Sequence, residues 1–156
     1  MMHHTENNIR EMEVLNDLME IHTENIEIYE RFKVHCAGCY LAEFIEDLIQ
    51  QSHCFIWSIR SYLQGTASGR PNTGNRAVYE VWNGLRAVYT ANRPPGLLAV
   101  LEYNEDAAIR AYEIALAGDA LNIGLQDILQ YQKEILIDNQ KNIRRMQHPW
   151  GACSAS

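Results

Sequence analysis

Apolar side chains recur at intervals of three and four residues through most of the chain, and this spacing constrains the fold more than any other feature. The first such run extends from residue 14 to residue 32 and has one polar interruption, Asn25. A run of this kind predicts a long amphipathic helix with one buried face. The alternation of period two that is typical of a half-buried strand is missing from the sequence, so we predict an all-α fold.

Breaks in this periodicity divide the chain into four long helices and a shorter one. The predicted helices span, to within a few residues, 6–34, 39–64, 75–90, 97–117 and 120–146. The clearest loop is the stretch 65–74, which is rich in Gly, Ser, Thr and Asn. Gly38 suits a left-handed helix end, and Asp119 can cap the last helix.

The connections between the helices predict how they are arranged. The first two helices are joined tightly, as are the last two, so each pair should be antiparallel. The link 65–93 is long enough to travel the length of a bundle and contains the short helix. A long crossover at this point predicts a ferritin-like four-helix bundle. We expect a single domain over residues 1–156, with an ordered core at 5–147 and a frayed tail at 148–156.

Charge and hydropathy narrow the classes of partner. The 13 basic and 20 acidic residues give a net charge of −7, which disfavours binding to nucleic acid or anionic membranes. No stretch has the roughly 20 apolar residues that a membrane span needs, and residues 1–6 lack the apolar core of a secretion signal. Four cysteines in 156 residues do not form a disulfide framework. We therefore expect a cytoplasmic protein.

Three segments resemble a bacterial family of uncharacterised ferritin-like proteins. Residues 15–20 (LNDLME) resemble its "LNDLIE" opening, and residues 102–108 (EYNEDAA) followed by Tyr112 resemble its "CERGEDAA…Y" segment. Residues 79–85 resemble its short crossover helix. The resemblance implies a ferritin-like four-helix bundle that often self-associates. It implies no particular reaction, because the activity of the family is not settled.

Polar residues on the inward faces decide whether such a bundle could hold metal. A di-metal centre needs about four carboxylates and two histidines, partly as Glu-x-x-His pairs. The nearest match is Gln50-Gln51-Ser52-His53, where glutamine replaces the carboxylate. At about 100° per residue, the predicted inward polar set is Asn25, Ser52, Glu105, Gln132 and Asn139. One acid among five residues cannot balance two iron ions, so we predict a metal-free bundle with a hydrogen-bonded polar layer.

Two interpretations of the function follow from this set. The first is a non-enzymatic ferritin-like bundle without a cofactor, which acts through protein contacts as a homodimer, with Trp57 at a boundary position. The alternative is a ferritin-like oxidoreductase or iron-binding protein that takes iron or manganese. Its ligands would be Glu24, Glu46, His53 and Glu105, joined by Glu134 after some helix rotation. We prefer the first interpretation, in which His53 is a helix-edge histidine.

Cys36 and Cys39 offer a third, weaker interpretation. Their spacing suits a redox pair or half of a zinc site, and such a pair could serve a thiol-based stress sensor. The usual redox motif follows a strand, whereas this one falls in a turn between helices. His53 lies about 21 Å along the helix from Cys39 and cannot complete a zinc site. We therefore interpret the two cysteines as reduced thiols at a turn.

Overall fold

The computed structural model describes residues 2–36, 38, 40–64, 75–91, 96–118 and 121–147, with side chains from residue 9 onward. Within these residues the chain is all-helical, which confirms the predicted class, and none of its helices is long and apolar enough to cross a membrane. The helices are α1 (Met2–His35), α2 (Leu41–Gln64), α3 (Ala77–Ala91), α4 (Leu97–Ala117) and α5 (Ile123–Gln147). Their bounds lie within about a turn of the predicted ones. The predicted loop 65–74 and tail 148–156 lie outside the described residues.

Contacts between distant residues give the direction of each helix. Lys33 of α1 contacts Glu46 of α2, and at the other end of this pair the Tyr62 hydroxyl of α2 donates to Glu11 of α1. Numbers rise along α1 as they fall along α2, so the two helices are antiparallel. The pair α4 and α5 is antiparallel in the same way, with contacts between Tyr112 and Gln132 and between Glu102 and Arg144.

The two antiparallel pairs face each other across a common interior. Helix α1 meets α4 through His22 with Tyr112 and Tyr29 with Glu105. Helix α2 meets α5 through Gln51 with Asn139 and Phe55 with Gln132. These neighbours are again antiparallel, because low numbers in one helix always meet high numbers in the other.

Helix α3 carries the chain along the length of α1. At its start, the backbone N–H of Tyr79 donates to the Asp17 carboxylate in α1 at 3.1 Å. At its far end, the Tyr89 hydroxyl donates to Asp106 in α4, and the Tyr89 ring stacks on Tyr103 at 4.8 Å between centroids. The fully buried Trp82 lies midway. Helix α3 therefore covers a second face of both α1 and α4.

In the first turns of α3 and α5, side-chain oxygens accept hydrogen bonds from backbone N–H groups that have no partner within the helix. The Asp17 carboxylate of α1 accepts such a bond from α3. Burial raises the pKa of the Asp17 carboxyl, although the hydrogen bond from the Tyr79 amide and the charge of Arg76 act in the opposite direction. At α5, the Asn122 side-chain oxygen accepts the N–H of Leu125 at 2.9 Å, which makes Asn122 the N-cap. The predicted cap, Asp119, lies outside the described residues. Gly38 has φ +85°, the left-handed conformation predicted for it.

Buried apolar residues form two clusters that occupy opposite ends of the interior. The larger cluster is built around Leu18, Ile59, Trp82 and Leu125. The smaller one is built around Ile45 and three further residues, Ile28, Leu101 and Ile143. In each long helix the buried residues between the two clusters are polar, so the interior is apolar at both ends and polar between them.

Candidate functional site

A layer of polar side chains, all of them buried except the half-buried Gln51, lies between the two apolar clusters. We call it the polar layer, and it consists of Asn25, Tyr29, Gln51, Asn104, Glu105 and Asn139. Its positions follow from helix geometry, since every member except Tyr29 lies within about a turn of a residue of each cluster, and Tyr29 is itself packed in the smaller cluster. Every one of the four long helices contributes to it.

Hydrogen bonds tie the α1 and α4 sides of the polar layer together. Asn104 uses both amide protons, one toward the Asn25 side-chain oxygen at 3.0 Å and one toward the Tyr29 hydroxyl at 2.8 Å. The Tyr29 hydroxyl in turn donates to Oε1 of Glu105 at 2.5 Å. One Asn104 proton and the Tyr29 hydroxyl thus form a path that ends on the buried carboxyl, and the other Asn104 proton branches to Asn25.

Glu105 is the one acidic member of the polar layer. It is 2% exposed, and its Oε2 atom has no hydrogen-bond partner among the described residues. Burial raises the pKa of the Glu105 carboxyl to about 7, although the Tyr29 hydroxyl and the nearby Asn139 amide favour the ionised form. Below neutral pH the polar layer therefore carries no net charge.

The α2 and α5 sides of the polar layer are joined by a pair of amides. Asn139 donates to the Gln51 side-chain oxygen at 2.6 Å, and Gln51 donates back to Asn139 at 3.3 Å. Ser52, the next residue in α2, donates to the backbone oxygen of Leu48 in its own helix at 3.0 Å. These groups bond to one another or to their own helix, and none of them carries the negative charge that a metal ion in an apolar interior requires.

A second chain of hydrogen bonds crosses all four long helices, one to two helical turns from the polar layer. We call it the histidine chain. The Gln132 amide donates to the Phe55 backbone oxygen, and the Tyr112 hydroxyl donates to the Gln132 side-chain oxygen at 2.6 Å. The Tyr112 proton is therefore committed, so Nε2 of His22 must be the donor in its 2.6 Å contact with Tyr112. Nδ1 of His22 is then a buried acceptor with no partner among the described residues.

Burial strongly opposes a positive charge on His22. The ring is fully buried against Phe55 and Tyr112, and its pKa is lowered to about 3 by the loss of solvation. A neutral imidazole that already donates through Nε2 can accept one hydrogen bond at Nδ1. It is not placed beside a carboxylate that could activate it as a base.

All five residues of the predicted inward polar set are buried, which confirms their placement. The predicted inward polar set left out His22, Asn104 and the tyrosines that bond to them, Tyr29 and Tyr112. His22 precedes Asn25 by three residues, the spacing at which two side chains share a helix face, so this signal was present. Asn104 gave a similar signal, since it lies three residues after Leu101 and four before Ala108, and it bonds to α1 at a place that also borders α3.

The alternative metal ligands lie in different environments. Glu46 is bonded to Lys33 at 2.6 Å on the surface, His53 is exposed, and Glu24 is half-buried on the side of α1 that faces Arg86 in α3. Glu105 lies in the interior. Glu134 is exposed on α5. In the part of the chain that the structure describes, no three His, Cys, Asp or Glu side chains are grouped so as to hold a metal ion.

The structure describes one of the two cysteines of the predicted pair. Cys36 is buried at the end of α1, whereas Cys39 lies outside the described residues, so the geometry of the proposed pair is not defined. Cys54, which the motif did not include, is exposed on α2.

An open groove runs between α2 and α5. It has a volume of about 860 Å³ and passes over Gln132, the last member of the histidine chain. Two large aromatic side chains in its lining are mostly exposed, Trp57 at 70% and Tyr131 at 66%. The groove exists because α2 and α5 approach each other closely at few points, in contrast to the tightly packed pairs α1 with α2 and α4 with α5.

Comparisons with known proteins give no relative for this chain. No protein-family model matches its sequence, no curated protein matches it, and no solved structure matches its fold. The resemblance to ferritin-like proteins therefore remains a prediction, and the function has to follow from the residues and their geometry.

Proposed function

We propose that this protein is a ferritin-like four-helix bundle without a di-metal centre, that it is not an enzyme, and that it acts through protein contacts as a homodimer. The observation that carries this proposal is the chemistry of the interior. Amides, phenols and a neutral imidazole fill the polar layer and the histidine chain, and Glu105 is the one carboxyl among them. Two divalent ions in an apolar interior require several anionic oxygen ligands.

The arrangement of the helices supports the ferritin-like part of the proposal. The antiparallel pair α1 and α2 faces the antiparallel pair α4 and α5, and α3 spans the distance between the end of α2 and the start of α4. A bundle with one long crossover of this kind has the ferritin-like connection.

Charge favours the groove between α2 and α5 as the dimer face. A chain with a net charge of −7 repels its own copies except where the meeting surfaces carry little charge. Among the described residues that line the groove, Asp47 is the one acidic residue, and none is basic. A second copy brings the same exposed aromatics, Trp57 and Tyr131, so a two-fold arrangement lets each groove receive aromatic side chains from its partner.

Light scattering after size exclusion, between about 1 and 100 µM chain, tests the homodimer. We expect twice the mass of the 17.9-kDa chain at the upper end of this range. Trp57→Lys should weaken association by roughly 30-fold, because a central aromatic often contributes about 2 kcal/mol to an interface. The matched control is Tyr40→Lys, which alters an equally exposed aromatic outside the groove. A wild-type monomer at every concentration, or equal weakening by both variants, contradicts the proposed dimer face.

Metal analysis tests the interior chemistry independently of the dimer. Protein expressed in medium supplemented with iron and manganese, and purified without chelators, is expected to carry far less than one ion per chain by plasma mass spectrometry. Titration with Fe²⁺ under anaerobic conditions should show no saturable binding. About two equivalents per chain that are lost in Glu105→Gln would instead favour the iron-binding alternative.

A further inference from the structure

A second cavity lies on the opposite side of the molecule from the groove. It has a volume of about 320 Å³ and is enclosed by α1, α3 and α4. This volume is at the lower end of the range for small-molecule sites, and it is large enough for a single ring with one or two substituents. None of its lining residues belongs to the groove between α2 and α5. We call it the arginine pocket.

Two arginines from different helices line the arginine pocket. Arg31 comes from α1 and Arg86 from α3, and neither forms an ion pair with any carboxylate in the described residues. Arg86 is half-buried, and its guanidinium lies over the Trp82 ring at 4.5 Å from the centroid, which fixes its position.

The charges around Arg86 leave it short of a counter-ion. Burial lowers the pKa of the Arg86 guanidinium, Arg31 lowers it further, and the Glu24 carboxylate opposes the fall without forming an ion pair with it. An anion that enters the pocket would replace lost solvation and relieve the repulsion between the two arginines at the same time. This is the arrangement that planar, multidentate recognition of carboxylate or phosphate uses.

The remaining lining sets the shape of the ligand. Phe32 and Val100 supply apolar surface, and Tyr103, held in a stack with Tyr89, supplies an aromatic wall. Both amide protons of Asn104 are used inside the polar layer, so its carbonyl oxygen is the atom available to the pocket as an acceptor. The lining therefore complements an oxyanion attached to a small apolar or aromatic body that can also carry a hydroxyl or amino donor.

We propose that the arginine pocket binds a small organic anion, whose carboxylate or phosphate group is held by Arg31 and Arg86 and whose apolar body lies against Phe32 and Tyr103. This site is independent of the proposed homodimer, because the dimer face and the pocket share no residue. Either proposal can fail while the other stands.

Isothermal titration with four probes tests the site: 4-hydroxybenzoate, phenyl phosphate, inorganic phosphate and the neutral benzyl alcohol. We expect saturable binding of at least one aromatic anion, with an affinity that falls as salt is raised. The tighter of the two aromatic anions identifies the preferred head group. Inorganic phosphate and benzyl alcohol should each bind at least tenfold more weakly, because each lacks half of the recognised chemistry.

Variants of the two arginines locate the binding. Arg31→Gln and Arg86→Gln should each weaken binding of the preferred anion roughly 10- to 100-fold, the range for loss of one charge-assisted contact. The matched control Arg60→Gln alters an exposed arginine of α2 outside the pocket and should bind like the wild type. Arg31 is exposed, so its variant keeps the test valid if loss of the Arg86 contact with Trp82 impairs folding. Absence of saturable binding by both aromatic anions at 10 mM, or undiminished binding by Arg31→Gln, would overturn the proposal.

Discussion

Between pH 4.5 and pH 8 the free energy of unfolding of the wild-type protein is expected to fall by about 3 kcal/mol because of Glu105. The Glu105→Gln variant should not show this fall. Burial places the pKa of Glu105 at about 7 in the folded protein, against an ordinary value of 4.5. The folded state therefore holds this proton more tightly than the unfolded state. The resulting stabilisation is fully present below pH 4.5 and is lost as the pH rises through 7.

Glutamine is a close test of this effect. Its side-chain oxygen can still accept the Tyr29 hydroxyl, and its amide stays uncharged at every pH. The difference in stability between variant and wild type, measured by urea unfolding at half-unit steps of pH, should move in favour of the variant as the pH rises. Glu134→Gln, an exposed position on α5, is the control and should follow the wild type. Parallel pH profiles for Glu105→Gln and the wild type would mean that Glu105 is solvated or ion-paired.

The polar layer also specifies the register of the helices. A slip of α4 by one turn against α1 would move Asn104 and Glu105 away from Tyr29 and into an apolar cluster. Buried polar groups without partners each cost a few kcal/mol, so the slipped state is disfavoured. The two apolar clusters alone do not give this discrimination, since leucine and isoleucine pack in several registers.

The sequence was sufficient to predict which polar residues are buried wherever a helix buries its residues along a single apolar stripe. Asn25 in α1 and Gln132 and Asn139 in α5 lie on the apolar stripe of their helices, and a rotation of about 100° per residue was enough to place them inside. The same rule placed His53 and Glu46 away from the centre, where the structure has them on the surface.

Helix α3 accounts for most of what the sequence did not predict. A pattern with one apolar stripe per helix assumes one buried face, whereas α1 and α4 each have a second face covered by α3. Asp17 is buried for this reason, and Asn104 lies where the polar layer meets the arginine pocket. The convergence of Arg31 and Arg86 could not be predicted, because their separation in the sequence says nothing about which faces of α1 and α3 meet.

The histidine chain gives the largest expected response to acid. Burial holds the pKa of His22 at about 3, against an ordinary value of 6.5, so the folded protein keeps the ring neutral while the unfolded chain protonates it. The stabilisation is fully present above pH 6.5 and is lost as the pH falls toward 3. Between pH 6.5 and pH 3.5 the wild type should lose about 3.5 kcal/mol of unfolding free energy that His22→Gln does not lose.

Glutamine at position 22 can still donate to the Tyr112 hydroxyl, and His53→Gln, which removes an exposed histidine, is the matched control. The comparison has an internal check, because the effects of His22 and Glu105 have opposite signs. Between pH 4.5 and pH 6.5 the folded protein holds one proton on Glu105 and the unfolded chain holds one on His22, so their contributions to the pH dependence cancel.

Over this interval the two groups offset each other in the wild type. His22→Gln keeps only the effect of Glu105 and should lose stability as the pH rises. Glu105→Gln keeps only the effect of His22 and should gain stability as the pH rises. The double variant should again show neither slope. A His22→Gln profile that follows the wild type below pH 6.5 would mean that the unpaired Nδ1 atom reaches water, and that the histidine chain is not sealed in the apolar interior.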